Sequence, residues 1–230
     1  MNPNMASIAA LISDPSRAAI LTSLLDGRFH PASSLAYIAG IKPQTASFHL
    51  RKLHEADLLQ VNQQGRHRYY GLKNHDVAKV LETFLLISPD TEMRSFKQVT
   101  QDKAIRYART CYDHLAGNIG VKVTESMLSI GYLEDSKNSF VLTEKGEDFF
   151  NELQIDLAQI KKKRRKYIDK CLDWSERKYH ISGAIGNALL VKFLELNWIR
   201  RVPDSRAIKI TKLGERELKI MFGITLDDQF

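Results

Sequence analysis

GIKPQTASFHLRKLHEAD, residues 40–57, is the stretch whose reading decides the fold. Gly40 lies in a turn, and Pro43 falls at a first-turn helix position, where its missing N–H costs nothing. Ala46, His49, Leu50 and Leu53 then recur at helical spacing, while Gln44, Thr45, Ser47, Phe48, Arg51 and Lys52 fall on the opposite side. One face packs and the other is left for contact. Upstream, residues 32–39 (ASSLAYIA) read as a short helix with Leu35 and Ile38 turned inward. The pair makes a helix-turn-helix whose second member suits a DNA major groove. Downstream, residues 58–72 (LLQVNQQGRHRYYGL) hold two strand-like runs joined by a polar turn ending in Gly65, which reads as a wing.

Composition fits that beginning. The 230 residues are long enough for two domains, and 43% hydrophobic with 27% charged is ordinary for a globular chain. Thirty-four Lys and Arg against 27 Asp and Glu give a net charge of +7, which suits a polyanionic partner without specifying one. No apolar run approaches the roughly 18 residues of a membrane span. Residues 1–13 lack a secretion signal, so a cytoplasmic location is expected. There the two cysteines, Cys111 and Cys171, are expected reduced, metal-bound or redox-active rather than joined as a structural disulfide.

Residues 5–13 read as an apolar helix and residues 16–25 as an amphipathic one, capped by Asp14-Pro15 and ended by Asp26-Gly27. After the wing, residues 76–87 carry Val77, Val80, Leu81, Phe84, Leu85 and Ile87, more apolar surface than one small domain uses on one side. Together with Ile8 and Leu11 they predict a homodimer interface. Residues 1–90 are thus expected to be the DNA-binding and dimerisation domain and residues 91–103 a polar linker.

DPSRAAILTSLLDG, TASFHLRKLHEADLL and QGRHRYYGL, in this order, resemble the ArsR-type winged-helix repressors of bacteria over about the first 90 residues. The resemblance implies a homodimer joined through the first and last helices of the domain, bound to a pseudo-palindromic double-stranded operator and released by an inducer. It departs from the family at the metal. The segment before the recognition helix, ASSLAYIAG, has no cysteine, and after His75 and Asp76 the last helix has no further histidine.

The remainder contains an internal repeat. HLAGNIGVKVTESMLSIGYL from His114 recurs as HISGAIGNALLVKFLELNWI from His180, and FVLTEKGEDFF from Phe140 recurs as IKITKLGEREL from Ile208. Residues 104–230 are therefore expected to be two degenerate winged-helix-like halves, 104–160 and 167–230, packed about a pseudo-twofold axis. The whole chain is expected to be mainly α with small β wings. Between the halves KKKRRK, residues 161–166, is either a solvated face or a phosphate contact.

The expected DNA contacts are Gln44, Thr45, Ser47, Phe48, Arg51 and Lys52 on the helix and Arg66, His67, Arg68 and Tyr69 on the wing. His49 and His54 are expected to be packing or helix-surface residues rather than ligands. Cys111 and His114, read as three apart on a helix, and Cys171 and His180 in the second copy are candidate ligands for zinc or another soft cation, or sensors of a thiol-reactive compound. The alternative is that the histidines fix helix starts and the cysteines are buried apart. A C-terminal half serving only dimerisation, without an effector, also remains open. The G-x-x-G segments lack a phosphate-binding lysine and serine, and no nucleophile elbow appears, so catalysis is not expected.

Overall fold

The computed structural model describes residues 4–90, 92 and 95–226. They divide into two compact units, Met1–Ile87 with Pro203–Ser205 and Ser88–Val202 with Arg206–Phe230.

In the first unit, α1 (Met5–Ile12) and α2 (Pro15–Ser23) precede α3 (Ala32–Ile38) and α4 (Pro43–Glu55). Asp14 caps α2, its side chain accepting from the Arg17 N–H at 2.9 Å. The buried positions of α4 are Ala46, His49, Leu50 and Leu53. The helix packs against α2 and α3, and Ile20, Leu21, Leu24, Leu25 and Leu35 are buried in the same unit. The wing follows, with β2 (Leu59–Gln64) and β3 (His67–Leu72) antiparallel and β1 (His30–Pro31) on the other side of β3. Gln64 faces His67 across a turn in which Gly65 has a φ of +60°, a conformation glycine adopts without strain. α5 (His75–Ile87) closes the unit and leaves Val80, Phe84 and Ile87 exposed.

The second unit opens with α6 (Phe96–Tyr107). This corrects the linker expected over 91–103: Ser95 accepts from the Gln98 N–H, and Arg106 pairs with Asp102 one turn back at 2.8 Å. The helix buries no residue, so its sequence carries no apolar stripe to announce it. Thr91, Met93 and Arg94 lie outside the described residues.

Two runs of the same element order follow. The first is β4 (Arg109–Cys111), β5 (His114–Ala116), α7 (Gly117–Ile130), β6 (Leu133–Asp135), β7 (Phe140–Leu142) and α8 (Glu144–Glu152). After a short α9 (Leu157–Lys161), the second is β8 (Asp169–Leu172), β9 (Tyr179–Ser182), α10 (Gly183–Glu195), β10 (Ile199–Arg201), β11 (Ile208–Ile210) and α11 (Lys212–Phe222). The later hairpin and final helix of each copy match the expected wing and closing helix. The hairpin in front of each long helix does not: His114 and His180 sit in strands, and the helices begin three residues later at Gly117 and Gly183. Both glycines have positive φ, and a Cβ on either would fall within 3 Å of a backbone carbonyl oxygen. The G-x-x-G segments are thus explained by close backbone packing.

One hydrophobic core draws on both copies, including Ile119, Val123, Phe149 and Phe150 from the first and Leu189, Phe193, Leu218 and Phe222 from the second. The exchange is reciprocal, with β5 against α10 and β9 against α7. Thr124 on α7 accepts from the Ile181 N–H at 2.9 Å, and Asn187 on α10 donates to the Asp113 carbonyl at 3.0 Å. Among the described residues no single helix is long and apolar enough to cross a bilayer.

Candidate DNA interface and Cys-His cluster

On α4 the helical period puts Gln44, Thr45, Ser47, Phe48, Arg51 and Lys52 on an exposed face, opposite the buried positions. Phe48 lies beneath its own cations, with Lys52 Nζ 4.5 Å and the Arg51 guanidinium 5.7 Å from its ring. The Ser47 hydroxyl donates back to the Pro43 carbonyl at 3.0 Å. Arg66, His67 and Arg68 stand exposed on the wing, whereas Tyr69 is half-buried. Between helix and wing runs a groove of about 830 Å³ whose lining includes Ser47, Arg51, Arg66, His67 and Arg68. Its charged lining is cationic, as a phosphate backbone requires. His49 lies 3.3 Å from Arg17 in the core, and His54 binds the Leu59 carbonyl at 3.0 Å, fastening α4 to the wing.

The second constellation begins with strand register. Cys111 lies directly opposite His114 in β4–β5, and Cys171 directly opposite His180 in β8–β9. Residues so paired project from the same side of a hairpin, about 5 Å apart at Cβ. This corrects the helical i, i+3 arrangement expected for Cys111 and His114: a thiol and an imidazole come together by cross-strand pairing. Reciprocal packing then turns the two hairpins toward each other. The sulfurs are 3.7 Å apart and the two Nε2 atoms 3.1 Å apart. One ligand atom from each of the four residues lies within 4.8 Å of all the others. Cys111, His114 and His180 are buried and Cys171 is half-buried.

Outside this quartet stand two carboxylates. Asp113 lies 3.4 Å from His114 Nδ1, and Asp173 lies 3.3 Å from His180 Nδ1. The latter approach is near enough for an ion pair although it is not aligned as a hydrogen bond. Arg165 forms a short forked pair with Asp113. Arg109 reaches Asp173 at 2.9 Å, both side chains being fully buried. Asp173 also accepts from the N–H groups of Gly117, Ser175 and Glu176, so it caps the start of α7 as well.

Burial alone would raise the pKa of both carboxyls, but His114 with Arg165, and His180 with Arg109, hold them well below the usual carboxylate range. Burial likewise works against charge on His114. The negative charge of Cys111 and the Asp113 carboxylate overcome it and raise that imidazole to about 10. The centre of the cluster is therefore built to receive positive charge.

The sequence reading brought together the four residues that the structure brings together, but it missed Asp113, Asp173, Arg109 and Arg165. A signal was present for the two carboxylates, since Cys-x-Asp occurs in both copies, Cys111-Tyr112-Asp113 and Cys171-Leu172-Asp173. Of the basic run, Lys161 pairs with Glu147, Arg165 with Asp113 and Lys166 with Asp169, while Lys162, Lys163 and Arg164 are exposed.

A helix-turn-helix with an adjoining basic wing defines a DNA-binding unit of transcription regulators. The helix-turn-helix domain family matches residues 12–62. Over 215 residues the chain is 53% identical to the uncharacterized HTH-type transcriptional regulator YdfF of Bacillus subtilis (strain 168), an alignment covering 94% of this chain and 95% of the relative. The chain belongs to the HTH-type transcriptional regulators. Among solved structures it is similar to NolR from Sinorhizobium fredii, with 24% identity over 40% of this chain and all of that one, at a TM-score of 0.34. It is also similar to the cadmium metal-sensor CMTR from Mycobacterium tuberculosis, with 29% identity over 40% of this chain and 96% of that one, at a TM-score of 0.32.

Proposed function

We propose that this regulator is a cytoplasmic, homodimeric repressor that binds a specific double-stranded operator and is released when an inducer acts on its C-terminal unit. The observation carrying this reading is the exposed α4 face beside a basic wing. Gln44, Thr45 and Ser47 offer groups suited to base edges, and Phe48 an apolar edge for a thymine methyl. Arg51, Lys52, Arg66, His67 and Arg68 supply phosphate contacts, with Tyr69 bracing the wing. The Cys-His cluster supports an inducer site for a metal ion or a thiol-reactive compound. No catalytic role is assigned.

A titration with the chain's own promoter DNA tests the reading. Arg66→Ala should weaken binding to all sequences alike and lower the salt slope by roughly one, whereas Gln44→Ala should relax sequence preference. If both variants bind like the wild type, α4 and the wing are not the contact surface.

A further inference from the structure

We propose that Cys111, His114, Cys171 and His180 form a closed tetrahedral site for a zinc-class divalent cation, with Asp113 and Asp173 as the outer carboxylates that orient its two imidazoles. The distances favour such an ion. Bonded to sulfur at about 2.3 Å and to imidazole nitrogen at about 2.05 Å, a tetrahedral zinc spaces two sulfurs about 3.8 Å apart and two nitrogens about 3.3 Å apart. The corresponding separations here are 3.7 Å and 3.1 Å.

Hydrogen bonding points the same way. Ionised carboxylates only accept, so Asp113 calls for an N–H at His114 Nδ1, and the charge of Asp173, 3.3 Å from His180 Nδ1, favours a proton there as well. When both rings are neutral, the two Nε2 atoms then present lone pairs to one another across 3.1 Å. Such a pair is held together either by a proton on one nitrogen or by a metal ion between them. The outer arrangement, carboxylate to imidazole to ion, is the one that fixes the tautomer of a metal-bound histidine.

Charge selects the valence. Two thiolates carry two negative charges, while the pairs Asp113–Arg165 and Asp173–Arg109 are each neutral. A divalent ion leaves the buried assembly without net charge. Magnesium and calcium prefer oxygen ligands in larger shells, so a thiolate-imidazole set selects zinc and its surrogates cobalt and cadmium. Four protein ligands leave no open position for water or substrate, which suits a structural or regulatory ion rather than a hydrolytic one.

This assignment goes beyond the inducer proposal, and its test contains no DNA, so failure of operator binding would leave it standing and its own failure would leave operator binding standing. The untagged full chain, reduced and stripped with a chelator, is titrated with Zn²⁺ and separately with Co²⁺. One ion per chain should bind, cobalt should give the intense visible bands of a tetrahedral thiolate complex, and zinc should protect both thiols from alkylation. Cys171→Ala, at a half-buried position, should lose the cobalt bands while its metal-free circular dichroism matches the metal-free wild type. Asp113→Asn should retain one ion per chain at an affinity roughly 10- to 100-fold lower. Wild type that shows no tetrahedral cobalt spectrum with both thiols reduced overturns the assignment, whatever the variants do. So does a Cys171→Ala protein that holds one zinc as tightly as the wild type.

Discussion

Replacing Arg109 with Met would strip the charged partner from Asp173 while keeping much of the volume, and the structure fixes what should follow. Neither side chain touches solvent, and their atoms are 2.9 Å apart. Removing one member of a buried ion pair costs about 3–5 kcal/mol, because the remaining charge is left uncompensated. Asp173 keeps its N–H donors from Gly117, Ser175 and Glu176, which places the cost near the lower end. Arg109 also lies 4.4 Å from the centre of the Trp174 ring, and losing that contact adds about 0.5–1 kcal/mol. The total is roughly 3–4 kcal/mol, or about 10 °C in Tm for a unit of this size. Both tryptophans of the chain, Trp174 and Trp198, belong to the second unit, so urea unfolding followed by tryptophan fluorescence reports on that unit alone. With a urea dependence of about 2.5 kcal/mol per molar, the midpoint should fall by about 1.5 M. Arg106→Met, which breaks partly exposed pairs with Asp90 and Asp102, is the control and should cost no more than about 1 kcal/mol. An Arg109→Met protein as stable as that control would show that the buried pair does not hold the cluster's frame.

Three further outcomes are expected. In metal-free protein the lowered carboxyls of Asp113 and Asp173 contribute stability present above about pH 4 and lost as pH falls, whereas His114, raised to about 10, contributes stability present below about pH 6.5 and lost as pH rises through about 10. Urea midpoints across pH should show both limbs, and His114→Gln should flatten the alkaline one; an unchanged alkaline limb would contradict the assignment to His114. Gly214→Ala would put a Cβ 1.9 Å from the Trp198 carbonyl oxygen, a backbone atom, so it should destabilise by about 2 kcal/mol or more in thermal unfolding despite alanine's better helix propensity. Phe84→Glu, on the exposed apolar face of α5, should convert a sedimenting dimer to monomer and abolish operator binding; a dimer that still binds would place the interface elsewhere.

How much was legible in the sequence varied with the device involved. The α4 helix was legible because Pro43 opens it and its apolar positions keep a clean 3.6-residue period. α6 was not: FKQVTQDKAIRY has no fully buried residue, only Tyr107 at its end rests on the core, and the Ser95 cap and the pairs of Arg106 hold it rather than an apolar stripe. The quartet was legible as a set, because a repeat carries equivalent residues to equivalent places, yet its local geometry was hidden. The β4–β5 turn is Tyr112-Asp113, with Tyr112 at a φ of 57°, and no glycine or asparagine marks it. Arg165 was concealed inside a run of six basic residues, where charge alone does not show which member turns inward.

The hairpins also bear on how such a centre can arise and be altered. Each copy contributes one sulfur, one imidazole and one carboxylate, half of a tetrahedron with half of its support. One copy alone fills two of four coordination positions, too few to exclude water from an ion. The four ligand atoms come together only when both hairpins are in place. The two hairpins differ in their connections, a short β4–β5 turn against a longer β8–β9 loop whose Asp173 reaches across to cap α7, so a change in either loop alters one half of the centre without the other.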